Sequence, residues 1–122
     1  MADEVTEDTA NAEPVKQPAI YFPLKPALIV NFQARGRQRF LQAEITLMVR
    51  DNAVIQAVEM HMPMIRNSLV MQLGGQDYET LQTAEGKEAL RQDALVTLQG
   101  LLEAEIGQPG VEQVLFTNFV MQ

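Results

Sequence analysis

Residues 60–64 read Met-His-Met-Pro-Met and contain the single histidine of the chain, three thioethers around one imidazole. Soft donors of this kind suit Cu(I) or Ag(I), so the stretch poses a choice between a soft-metal site and a seam between two helices. On one continuous helix Met60 and Met64 share a face, Met62 points elsewhere and His61 lies to one side. Pro63 disfavours helical geometry at Met62 and withholds an amide donor, yet proline is well accommodated in the first turn of a new helix. The pattern therefore reads as one helix ending near His61 and another starting at Pro63, with methionine filling an irregular junction. A carrier of a soft metal or small ligand, built on His61 and its methionines, stays open as the alternative function.

The other candidates for chemistry are weaker. Arg35, Arg37 and Arg39 in ARGRQRF form a local basic cluster, but only Phe40 beside them offers a stacking surface, and the chain as a whole is acidic. Nucleic-acid binding needs a broad basic face with aromatic platforms, so the cluster reads as a solvated turn or as a contact for an acidic protein partner. LGGQD and EGKE lack the spacing of a phosphate-binding loop, since Gly86-Lys87 leads into Glu88 rather than Ser or Thr. Ser68 is the one serine, seven residues after His61 in a helical pattern, two turns too far for a nucleophile–base pair. The absence of cysteine removes disulfides, thiolate metal sites and thiol nucleophiles together. The expectation is a non-enzymatic chain with no cofactor.

The chain has 122 residues, 47% of them apolar, which suits one domain with an aliphatic, Met-rich core. The net charge of −7 divides into −3 over residues 1–25 (two Lys against five acids) and −4 over residues 26–122 (seven basic against eleven acidic). This balance disfavours nucleic acid and anionic lipid as partners. No apolar run reaches the ~20 residues needed to span a bilayer. Residues 1–18, acidic and without apolar periodicity, are expected to form a flexible tether, leaving 19–122 as the folded domain.

Within that domain the periodicity alternates between strand and helix. Tyr21-Phe22-Pro23-Leu24 with Pro26 reads as an extended, edge-like lead-in to a short apolar strand over 27–32. Gly36 marks a turn. Residues 39–50 alternate, placing Leu41, Ala43, Ile45, Leu47 and Val49 on a core face and Phe40, Gln42, Glu44, Thr46 and Met48 opposite. Strand, turn and strand make a hairpin. Asp51-Asn52 then supplies a cap and the period becomes helical, with a stripe of Val54, Ile55, Val58 and Met62, continued by Ile65, Leu69, Gln72 and Leu73 to Gly74-Gly75. A single turn over 78–82 precedes Thr83, which caps a helix to about Glu105 with a stripe of Leu90, Ala94, Leu98, Leu101 and Leu102. Gly107, Pro109 and Gly110 end it, and 111–121 reads as a closing strand. The predicted fold is α+β, a small antiparallel sheet with about three helices on one face.

Five stretches in this order, YFPLKPALIVNF, RFLQAEITLMV, HMPMIRNSLVMQL, DYETLQTAEGKEALRQDAL and GVEQVLFTNFVMQ, resemble the C-terminal domain of the FliL family of flagellar basal body-associated proteins. Pro63, Ile65 and Arg66 fall on the family's helix-boundary motif. The resemblance implies a stomatin (SPFH)-like fold on the periplasmic side of the inner membrane, anchored by a single N-terminal helix that would precede the residues given. It implies self-association into a ring, and association with the basal body and with the stator, motor proteins A and B, in support of torque, swarming and motility. The arginine turn and the polar face of the second strand are the expected contact surfaces, with the arginines set against acidic helices of a neighbouring copy.

Overall fold

A computed structural model describes residues 17–34 and 36–122. The expected tether falls mostly on residues 1–16, outside the described residues. Among the described residues three strands form one antiparallel sheet in sequential order: β1 (Ile20–Ala34), β2 (Arg37–Val49) and β3 (Val111–Met121), with β2 in the centre. Between β2 and β3 the chain forms α1 (Asn52–Met60), α2 (Met62–Gly74), a 3-10 turn (Thr80–Gln82) and α3 (Ala84–Ile106).

The alternation of β2 sets the layering. Leu41, Ala43, Ile45, Leu47 and Val49 are all buried, and the helices cover this face through α3 on β3, α2 on β1 and α1 on β2. Among the described residues no helix packs on the opposite face. The tight turn of the β1–β2 hairpin relies on Gly36 at φ 75°, a left-handed conformation that a Cβ would oppose.

Each helix boundary has a local cause. The Asp51 side chain accepts from the Ala53 amide at 2.9 Å and caps α1. His61 interrupts the helical run at φ −103°, ψ 21°: its amide donates to the Ala57 carbonyl and its carbonyl accepts from the Ile65 amide, each at 3.0 Å. Pro63 then lies in the first turn of α2, where its missing N–H costs nothing. Thr83 caps α3, its hydroxyl accepting from the Gly86 amide at 2.9 Å, and Gly107 ends that helix at φ 78°. The core stripes are Val54, Ala57 and Val58 of α1; Ile65, Leu69 and Leu73 of α2; and Leu90, Ala94, Leu98 and Leu102 of α3. Ile55, Met62 and Leu101 lie at its margin, partly buried.

The structure differs from the sequence reading at the first strand. β1 is one strand of 15 residues rather than a short one, because Pro23 and Pro26 lie on a sheet edge where a missing amide breaks no central ladder. The ladder to β2 is interrupted between Leu24 and Leu28.

Candidate functional site

The arginine turn does not act as a uniform basic cluster. Arg35 lies outside the described residues. Arg39 has the same parity as Leu41 and turns to the helical side, where its guanidinium carbon stacks 5.4 Å from the centroid of Tyr78. Tyr78 in turn meets the Phe32 ring edge-on at 6.0 Å. Arg39 therefore helps fasten the loop before α3 to the hairpin. Arg37, the first residue of β2, is exposed and makes no ion pair among the described residues.

The helix-boundary motif has structural duties. Ile65 is fully buried. Arg66 donates from Nη1 to the Pro26 carbonyl at 2.7 Å. That carbonyl falls in the unpaired stretch of β1, so Arg66 supplies the donor that the interrupted ladder does not, and ties α2 to β1. Of the methionines around His61, Met60 is 77% exposed while Met62 packs against the core, so their thioethers face different surroundings. The His61 imidazole lies 3.6 Å from the Glu105 carboxylate on the last turn of α3. Among the described residues no three His, Cys, Asp or Glu side chains gather as a metal site, and no helix is long and apolar enough to cross a membrane.

Two features were invisible in the sequence. The first is a clasp where the chain enters the domain. Arg50 reaches both Glu112 carboxylate oxygens from Nε at 3.0 Å and donates from Nη1 to the Gln17 carbonyl at 2.7 Å. One guanidinium thus joins the segment before β1, the end of β2 and the start of β3. The second is a cleft on the helix-free face. Around Glu44 both neighbouring strands are irregular: on β1 three residues (Lys25, Pro26 and Ala27) stand where one would, and on β3 an extra residue, Thr117, falls between the partners of Glu44 and Ile45. The opening has a volume of about 570 Å³ and is lined by Glu44, Thr46, Pro23, Pro26 and Thr117 among others.

A third polar cluster stabilises the α3–β3 contact. Arg91 grips Glu88 with two hydrogen bonds, of 2.6 and 2.9 Å, and donates to the Gln113 side chain and the Val114 carbonyl. The hydrogen bond from Arg91, then that from Gln92, holds the Glu88 carboxyl down to about 2, while the pairing raises Arg91 above its ordinary value.

These observations define a class: a small α+β domain with helices on one face of a three-stranded antiparallel sheet, a polar cleft beside its central strand and a fastened segment before β1. Residues 21–122 match the model of the family described as flagellar basal body-associated protein FliL. The chain is 30% identical over 103 residues to the flagellar protein FliL of Aquifex aeolicus (strain VF5), covering 84% of this chain and 62% of the relative. It is 32% identical over 84 residues to the flagellar protein FliL of Escherichia coli (strain K12), covering 69% of this chain and 54% of the relative. The chain belongs to the FliL family of flagellar basal body-associated proteins. It spans 62% and 54% of the lengths of these two relatives.

Proposed function

We propose that the protein is a non-enzymatic accessory of the flagellar motor that self-associates around or beside the stator and supports torque, swarming and motility. On this reading a single N-terminal helix of the full-length protein anchors it in the inner membrane, residues 1–18 tether the domain to that helix, the domain from residue 19 onward lies on the periplasmic side, and its partners are motor proteins A and B, the basal body and further copies of itself. The observation that carries the reading is the family match across the whole folded domain. The fold agrees physically: tethering many copies of a contact surface at high effective concentration lets individually weak contacts act together.

The test is recovery of the stator from membranes. Tagged full-length protein, solubilised in mild detergent and purified, should bring motor proteins A and B with it. Quantitative recovery of the tagged protein with neither motor protein, under conditions that keep the stator itself intact, would overturn the reading.

A further inference from the structure

We infer that the cleft at Glu44 receives Arg37 of a second copy of this chain, so that copies join head to tail; this rests on the self-association proposed above. The cleft is an exception within the sheet. A regular ladder leaves little room beside a central strand, yet here β1 is irregular opposite Glu44 and β3 carries an extra residue next to the Glu44 pair. The space is lined by Glu44, Thr46, Thr117 and the two prolines Pro23 and Pro26, and the Thr117 hydroxyl donates to the Glu44 carbonyl at 3.3 Å. That combination suits a cation carried on an apolar stem, the stem against the prolines and the charge on the carboxylate.

Charge complementarity selects the occupant. Glu44 makes no side-chain ion pair or hydrogen bond among the described residues, and Lys25 at the rim of the cleft does not close on it. Most of the described cations are already engaged. Arg39 stacks on Tyr78, Lys87 lies over Phe119, Arg50 holds Glu112, Arg66 holds the Pro26 carbonyl and Arg91 holds Glu88. Apart from Lys25, which belongs to the cleft itself, Arg37 at the tip of the hairpin is the one described cation left exposed without a partner. It cannot serve its own Glu44. The two lie seven residues apart on one strand, about 23 Å at ~3.3 Å per residue. Donor and acceptor are therefore different patches of the molecule, and their pairing is heterologous, the type of contact that generates rings or open chains rather than closed two-fold dimers. The guanidinium fork can meet the carboxylate with two parallel hydrogen bonds, which fixes orientation as well as attraction.

The experiment is a charge swap in the full-length protein in membranes, with self-association read as the fraction of chains chemically cross-linked into higher oligomers. Arg37→Glu and Glu44→Arg should each lower that fraction at least about tenfold, and the double variant, which restores opposite charges in exchanged positions, should recover most of it. Both positions are exposed, so the domain should stay folded, and recovery in the double variant would itself show that the single variants had not merely unfolded. Wild-type association in both single variants would overturn the contact while leaving self-association standing. Loss with Glu44→Arg but not with Arg37→Glu would overturn the choice of occupant and point to a cation from another protein. Absence of cross-linked oligomers in the wild type would overturn the self-association reading and the contact together.

Discussion

Gly86 gives the sharpest test of how the domain is packed, because local propensity and tertiary geometry predict opposite signs for one substitution. It lies in the first turn of α3, with its backbone against the 3-10 turn. A Cβ at this position would fall on the Thr80 carbonyl oxygen well inside van der Waals contact, 2.8 Å from the carbonyl carbon and 2.9 Å from Cγ2. Relieving the carbon contact alone, from 2.8 to an ordinary 3.4 Å, moves backbone by about 0.6 Å, and relieving the oxygen moves it further. That oxygen accepts from the Thr83 hydroxyl at 2.7 Å and from the Thr83 amide at 3.1 Å, and the same hydroxyl caps α3 through Gly86. The shift would also drag Leu81, which is fully buried. Overpacking of this kind costs about 1–3 kcal/mol, and disturbing the cap about 1 kcal/mol more. Helix propensity returns only about 1 kcal/mol for Gly→Ala. Gly86→Ala should therefore destabilise the domain by about 2 kcal/mol, a fall in Tm of roughly 10 °C for a domain this size. Gly100 is the control: it is exposed in the same helix, and a methyl added there would meet nothing within 4 Å, so Gly100→Ala should stabilise by about 0.5–1 kcal/mol. Urea unfolding followed by circular dichroism measures both. If Gly86→Ala matches or exceeds the wild type, the contact between α3 and the Thr80 turn is not as described.

Further substitutions probe other joints. Ile65→Ala should cost about 3 kcal/mol in the same unfolding assay, since it removes a fully buried side chain from under α2. Arg66→Ala should cost about 1 kcal/mol, leaving the Pro26 carbonyl to water, and hydrogen exchange should rise locally around Leu24–Leu28. Arg50→Ala should speed amide exchange at Ile20–Phe22 while leaving α3 protected, because its lost contacts hold the segment before β1 rather than the core. Glu88 should titrate near 2 by carboxyl NMR, and Arg91→Ala should return it toward its ordinary 4.5. Because the folded value is depressed, whatever Glu88 adds to stability is complete above about pH 4.5 and disappears as pH falls through about 2.

Features carried by local pattern were legible in the sequence. The strict alternation from Leu41 to Val49 identified both the central strand and its buried face. Asp51 and Thr83 announced two helix starts because capping is a local hydrogen bond. Pro63 placed the break between α1 and α2 because its backbone constraint acts on its immediate neighbours. What stayed hidden depends on partners distant in sequence. The prolines of β1 mark an extended, edge-like lead-in, but that it runs on into the next residues as one strand depends on the pairing with β2. Arg50 and Glu112 are 62 residues apart and Arg66 and Pro26 are 40 apart, so nothing local marks either pair. Arg39 shares the parity of the core residues, a visible signal that it turns inward, but Tyr78 as its partner required the fold. The Glu44 cleft left no trace, because β2 alternates regularly through it and the irregularity belongs to the neighbouring strands.

The central proposal, an accessory that supports the motor through contacts, is tested most directly by the torque–speed curve of single flagellar motors, recorded with beads of increasing load. Cells lacking the protein are compared with cells carrying it. Loss of the protein should lower torque at high load, with motors near zero load much less affected. Superimposable curves across the whole range of load would contradict it.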